Sequence, residues 1–87
     1  MQNNPYTETL TDGWYERTFK SEVLSGEMVW HRDREDRYIE PIEPTNWFFQ
    51  IDDTLPIKIE GRIFVPKGSW HRAIKGTGDL KIRIKKL

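Results

Sequence analysis

Apolar and polar residues alternate with a period of two along most of this chain, and no stretch longer than a turn or two has the period of a helix. The clearest run extends from Leu80 to Lys85, where three aliphatic residues alternate with three basic ones. Such alternation is typical of a strand with one buried and one solvated face. Eight short runs, separated by Gly, Pro, Asn and Asp, are predicted as strands: 14–19, 27–33, 37–40, 46–51, 55–59, 62–65, 70–74 and 80–85.

The chain has 87 residues, enough for one small core and too few for two. Short strands at this spacing predict an all-β sandwich or small barrel. We expect residues 1–12 to form an N-terminal arm, frayed or added to a neighbouring subunit, and residues 13–87 to form the single domain. Pro56 interrupts a predicted strand and places it at an edge or a bulge. Three aromatic residues are predicted to lie in the core: Tyr38, Phe48 and Phe64.

Composition excludes several classes of protein. Four Trp, three Tyr and four Phe indicate a packed core rather than a disordered chain, and the lack of Cys excludes disulfides and thiolate metal sites. The net charge is zero, with acids concentrated in residues 1–53 and bases in residues 54–87. This division favours self-complementarity over a nucleic-acid footprint, so no nucleic-acid partner is expected. No apolar run has the length of a membrane span or of a signal peptide, so we expect a cytoplasmic protein without a membrane partner.

Each of the two histidines follows a tryptophan, as Trp30-His31 and Trp70-His71. On a strand His31 and Asp33 project from the same face, about 6.5–7 Å apart along the chain. With His71 on a facing strand they form a set of two imidazoles and one carboxylate, which binds Fe, Mn, Ni or Zn and leaves coordination positions open. A structural role for both histidines is the alternative. The two tryptophans alternate with the histidines and are expected to face away from the cavity.

Residues 61–71 resemble the second conserved motif of the cupin superfamily. The Pro-x-Gly-x-x-His core of that motif is matched position by position by Pro66, Gly68 and His71. Gly61 lies one residue closer to the proline than the motif asks, and Lys75 replaces its closing Asn.

The first cupin motif is matched less closely. Gly26 precedes His31 by one residue fewer than the motif asks, and Asp33 stands at the place of the second histidine. Arg37 or Tyr38 falls where the motif has Glu, and Pro44 lies near the place of its closing Gly. The resemblance extends over residues 14–85.

The resemblance implies an all-β, cupin-type double-stranded β-helix, a jelly-roll barrel of about eight short antiparallel strands. It implies further that His31, Asp33 and His71 are ligands of one divalent transition metal at the mouth of the barrel. Asp36 supplies a fourth ligand if a bulge shifts the strand by one residue. Otherwise Arg37 points into the cavity, beside a three-ligand site or in place of the metal. Arg37 and Gln50 are the predicted ligand-binding residues, with an outward-facing Gln50 as the alternative.

Three functions are consistent with this reading. The first is a metal-dependent cupin enzyme, of the dioxygenase or isomerase type, that acts on a small polar molecule. The second is a metal-free module that binds a small ligand, and the third is a dimeric β-protein without catalysis. The spacing of the three metal ligands also occurs in 2-oxoglutarate oxygenases, for which Lys81 or Arg83 would hold the co-substrate. A homodimer is expected because so small a domain has a marginal core.

Overall fold

The computed structural model describes residues 6–21 and 28–87, which fold into two antiparallel β-sheets. The larger sheet has the strand order β1-β2-β8-β3-β6, and the smaller has the order β5-β4-β7. The strands are β1 (Tyr6–Thr11), β2 (Trp14–Phe19), β3 (Arg37–Pro41), β4 (Phe48–Ile51), β5 (Ile57–Lys58), β6 (Ile63–Val65), β7 (His71–Ile74) and β8 (Leu80–Lys86). This architecture confirms the predicted all-β jelly roll.

The first hairpin draws part of the expected arm into the larger sheet. β1 pairs with β2 along its whole length, from Tyr6 opposite Phe19 to Thr11 opposite Trp14. Asp12 and Gly13 both have positive φ, as a two-residue hairpin turn of the primed type requires. Residues 6–11 therefore form an edge strand of the chain's own sheet rather than an arm, and residues 1–5 lie outside the described part of the chain.

β8 is the central strand of the larger sheet, paired with β2 on one side and β3 on the other. Leu80, Ile82 and Ile84 point inward, as the alternation predicts, and Lys81, Arg83 and Lys85 point outward. Among residues 6–21 and 28–87, ten buried apolar side chains form the core: Phe19, Ile39, Trp47, Phe49, Ile59, Ile63, Val65, Leu80, Ile82 and Ile84. Trp47 is fully buried, and its indole N–H donates to the carbonyl of Gly78 at 3.1 Å.

The prediction of three aromatic core residues was wrong. Phe48 and Phe64 are 39% and 46% exposed, and Tyr38 packs against Phe64 on the outer face of the larger sheet, with ring centroids 5.6 Å apart. The physical reason is parity: Phe49, Ile63 and Val65 occupy the inward positions of the same strands. In a run of adjacent aromatic and aliphatic residues, alternation alone does not say which of two neighbours faces the core.

The smaller sheet is irregular at both edges. Pro56 immediately precedes β5, a two-residue strand at the sheet edge, as its position in the sequence predicts. Of the strand predicted over 27–33, residue 27 lies outside the described residues. The remainder contributes a single bridge, between His31 and His71. Within residues 6–21 and 28–87 no helix is long and apolar enough to cross a membrane.

Candidate metal centre

The two histidines meet across one antiparallel bridge at the edge of the smaller sheet. The His31 amide donates to the carbonyl of His71 at 3.0 Å, and the His71 amide donates to the carbonyl of His31 at 2.8 Å. Directly opposite residues of such a pair project to the same face. The two imidazoles accordingly lie edge to face, with ring centroids 4.3 Å apart, and Phe49 packs beside His71 at 5.4 Å.

Both imidazoles are oriented by the backbone two residues before them. The Nδ1 of His31 lies 2.9 Å from the carbonyl oxygen of Val29, and the Nδ1 of His71 lies 2.9 Å from that of Ser69. A carbonyl oxygen only accepts, so each Nδ1 carries the proton. In the neutral tautomer each Nε2 therefore bears the lone pair, which is the arrangement that second-shell hydrogen bonds impose on metal-ligating histidines.

Asp33 completes the cluster. One donor atom from each of His31, Asp33 and His71 lies within 4.8 Å of the others. The Nε2 of His71 is 3.1 Å from Oδ2 of Asp33, and both side chains are largely buried, at 4% and 13% exposure. The sequence placed these three residues together, and the structure does so.

Arg37 binds the far side of the carboxylate. Its Nη2 lies 3.4 Å from Oδ1 of Asp33 and 3.3 Å from Glu35, so the guanidinium leaves Oδ2 of Asp33 facing His71. Burial by itself raises the pKa of Glu35, but the charge and hydrogen bond of Arg37 outweigh this effect and hold that pKa below its ordinary value. A guanidinium beside a metal site would by itself weaken the binding of a cation. Here two carboxylates neutralise the charge of Arg37, so a cation can bind beside it.

The turn of the second motif connects the two halves of the site. Gly68 has a φ of +78°, which favours glycine, and its amide donates to the carbonyl of Asp33 at 2.9 Å. The Ser69 amide closes the turn onto Pro66 at 3.2 Å, and the Ser69 carbonyl then accepts from His71. The Pro-x-Gly-x-x-His spacing thereby fixes the ring of His71 relative to Asp33.

Two predicted site residues lie elsewhere. The Asp36 carboxylate is not part of the three-residue cluster and instead accepts from the Lys67 amide at 2.8 Å. Gln50 faces outward, as Phe49 takes the inward position; its side chain donates to Thr54 and accepts from Arg72. Gln50 therefore faces outward, which was the alternative expectation. Asp36 stabilises the turn at Lys67 and does not join the histidine cluster.

The residues proposed for a 2-oxoglutarate site also lie outside the cavity. Arg83 is bound to Glu40 on the outer face of the larger sheet, at 2.6 and 2.8 Å, and Lys81 shares that face. Neither side chain points towards His31 and His71, so the geometry gives no support to that alternative.

Sequence reasoning missed Arg17. This side chain is 6% exposed, pairs with Glu8, lies 4.4 Å from the ring of Tyr6, and lines the same cavity as the two histidines and Arg37. The signal was present in the alternation, since Arg17 has the same parity as buried Phe19 and stands on the inward face of β2.

Comparison with known proteins places this site in a known fold. Neither the family models nor the curated proteins give a match. Among solved structures, a Neisseria meningitidis protein is 19% identical with a TM-score of 0.65, covering 100% of this chain and 89% of its own. A cupin domain from Bordetella pertussis is 18% identical with a TM-score of 0.65, covering 100% and 98%. A cupin-2 domain containing protein from Shewanella frigidimarina is 18% identical with a TM-score of 0.63, covering 99% and 85%.

These likenesses extend over essentially the whole chain at low identity, and they show the fold. The chain therefore has the cupin fold, as its two motifs predict. Within that fold His31, Asp33 and His71 form a cluster with the donor chemistry of a metal site.

Proposed function

We propose that this protein binds one divalent transition metal through His31, Asp33 and His71, and that the metal serves a reaction on a small polar molecule. One observation carries the proposal: Nε2 of His71 faces Oδ2 of Asp33 at 3.1 Å while Nδ1 holds the ring proton. A lone pair and a carboxylate oxygen repel at that distance unless a positive charge lies between them. A metal ion supplies that charge, and the donor set fits one.

The donor set narrows the metal to a few ions. Two imidazoles and one carboxylate suit Fe, Mn, Ni and Zn, whereas Ca and Mg prefer sites built wholly from oxygen. The cavity lined by the cluster, Arg17 and Arg37 has a volume of about 30 Å³, enough for an ion and a ligand of the size of water. The site therefore admits the reacting end of a substrate rather than a whole large molecule.

The chain's own residues have distinct roles in this site. His31 and His71 present oriented Nε2 atoms, and Asp33 presents one carboxylate oxygen while Arg37 holds the other. Arg37 also borders the space that a substrate enters, so a polar or anionic substrate group has a donor there. When bound, the metal supplies Lewis-acid or oxygen-activating chemistry at positions the three ligands leave open. Activities of the dioxygenase and isomerase types are those we propose to screen.

Elemental analysis of protein purified without chelator and without an affinity-tag metal tests this function. We expect about one equivalent of Fe, Mn, Ni or Zn in the wild-type protein, because three preorganised ligands bind tightly. His31→Ala and Asp33→Asn remove one ligand each and should lose the metal. Asp52→Asn is the matched control, because Asp52 is an exposed carboxylate that accepts from its neighbour Asp53 at 3.1 Å.

Retention of the metal in Asp33→Asn would contradict the assignment of the ligands. A wild-type protein that takes up no metal, even after incubation with Fe(II) or Ni(II), would contradict the function itself. In that case His71 is an imidazolium paired with Asp33, and a metal-free binding module becomes the better description.

A further inference from the structure

The tripeptide Trp-His-Arg occurs twice in this chain, at residues 30–32 and 70–72. The structure pairs the two copies with each other, antiparallel, around the bridge between His31 and His71. The central histidines face the cavity, and the flanking residues face outward. Nothing in the proposed metal chemistry uses these flanking residues directly.

Antiparallel pairing places each outer tryptophan opposite the arginine of the other copy. The guanidinium carbon of Arg72 lies 4.7 Å from the ring centroid of Trp30, and that of Arg32 lies 5.1 Å from the ring centroid of Trp70. Two cation–π contacts therefore flank the bridge, one on each side, on the face opposite the imidazoles.

These contacts matter because the backbone pairing at the histidines is short, although the Gly68 amide also donates to the Asp33 carbonyl at 2.9 Å. His31 pairs with β7 through a single isolated bridge rather than through a ladder. A slip of one residue turns a histidine away from the cavity, because the side chains of a strand alternate between its faces. A slip of two residues keeps the faces but separates the two imidazoles.

The repeated tripeptide disfavours both slips of two residues. One slip brings Arg32 opposite Arg72, where like charges repel, and the other brings Trp30 opposite Trp70, which takes both arginines away from the rings. Either slip abolishes both cation–π contacts. Only the observed register pairs each ring with a cation and sets the two imidazoles opposite each other.

We infer that Arg32 and Arg72, each on the tryptophan opposite, are positioning residues that hold His31 and His71 in the register required by the metal centre. The inference rests on the proposed function, and it concerns this chain's own way of bringing two distant histidines together. Arg72 is itself held, since its Nε donates to Gln50 at 3.0 Å. Gln50 therefore helps to hold Arg72 over Trp30.

The test compares Co(II) binding by the wild-type protein, the single variants Arg32→Met and Arg72→Met, and the double variant. Methionine keeps most of the apolar stem and removes the cation. We expect the double variant to lose tenfold or more in Co(II) affinity and to change the visible absorption of the bound ion, with the single variants intermediate. Arg32→Lys with Arg72→Lys retains two cations and should restore both affinity and spectrum to near wild type.

Arg83→Met is the matched control. Arg83 lies 4.4 Å from the ring centroid of Trp14, on the larger sheet, and its loss removes the same charge and the same kind of contact far from the bridge. Its Co(II) affinity and spectrum should equal those of the wild-type protein. If the double variant does not fold, the two single variants decide the question.

Two outcomes overturn the inference while the proposed function stands: unchanged Co(II) affinity and spectrum in the Arg→Met variants, or an equal loss in Arg83→Met. If the wild-type protein binds no Co(II), the proposed function fails, and amide hydrogen exchange in metal-free protein then tests the register. We expect the amides of His31 and His71 to exchange at least tenfold faster in the double variant, with Ile82 in β8 unchanged. Equal protection would refute the positioning role in that case also.

Discussion

The outer faces of the two sheets both carry cation–π contacts between arginine and tryptophan, but these contacts have different consequences. On the larger sheet Arg83 and Arg62 lie over Trp14, at 4.4 and 5.7 Å, and both donate to Glu40. On the outer face of the smaller sheet, Arg72 lies over Trp30 and Arg32 lies over Trp70. The chemistry of the contacts is alike, but the backbone beneath them is not.

The backbone explains why the consequences differ. β8 is paired through five residues with β2 and through five with β3, so the register of the larger sheet is set without help from side chains. The segment that carries His31 has one bridge to β7. A side-chain contact that adds only stability on a long ladder determines geometry at an isolated bridge. The candidate site thus joins His71, on a strand paired with β4, to His31, on a segment with little backbone pairing of the kind that functional segments often have.

Ile63→Ala should have the largest effect on stability and should separate stability from the site. Ile63 is 7% exposed on β6 of the larger sheet and is not among the residues that line the cavity of the two histidines, so truncation removes buried contacts and leaves a void away from the site. We expect a loss of about 2–5 kcal/mol in the free energy of unfolding, measured by urea denaturation. The folded fraction should bind Co(II) with wild-type affinity. A parallel loss of metal affinity would mean that the site depends on packing in the larger sheet, contrary to the comparison.

Gly68→Ala should have the next largest effect and should act on both quantities. Gly68 has a φ of +78° and open space around its Cα, so alanine brings conformational strain and no clash. The strain costs about 1–2 kcal/mol of stability. We also expect weaker Co(II) binding, because the turn orients Asp33 and His71 through hydrogen bonds to Asp33 and from His71.

Gly61→Ala is the matched control for that substitution. Gly61 has a φ of +68° and open space as well, but it is not among the residues that line the cavity of the two histidines. The two variants should lose similar stability in thermal or urea unfolding, and only Gly68→Ala should lose metal affinity. Equal Co(II) affinities in the two variants would show that the turn does not orient the site.

Much of the fold could be predicted from the sequence because period-two alternation reports directly on strands with two unlike faces. It placed Leu80, Ile82 and Ile84 inside correctly. It failed for Phe48 and Phe64, where neighbouring apolar residues make either parity acceptable. It also missed β1, whose residues after Tyr6 are exposed and therefore give little apolar pattern.

The candidate site was predictable to the extent that motif spacing encodes it. The Pro-x-Gly-x-x-His turn fixes His71, and the single intervening residue places Asp33 on the face of His31. The sequence could not show that Arg37 holds Oδ1 of Asp33 while Oδ2 stays turned to His71, because that depends on side-chain direction. The repeat of Trp-His-Arg is present in the sequence, but its positioning role could be inferred only after the structure showed that the two copies pair.

The smallest effect should come from Glu40→Gln, and it should appear only in the pH dependence of stability. Hydrogen bonds from Arg62 and then Arg83 hold the pKa of Glu40 below its ordinary value of 4.5. A carboxyl group with a lowered pKa stabilises the folded state above its unfolded pKa, and this contribution disappears as pH falls through the folded pKa. Metal-free wild-type protein should therefore lose slightly more stability between pH 7 and pH 3 than Glu40→Gln, as measured by urea unfolding at each pH.

At neutral pH the variant should bind Co(II) as the wild-type protein does, because five paired residues on each side of β8 keep the register without Glu40. If metal affinity fell in Glu40→Gln, the ion network of the larger sheet would be positioning the site as well, and the contrast between the two faces would be wrong.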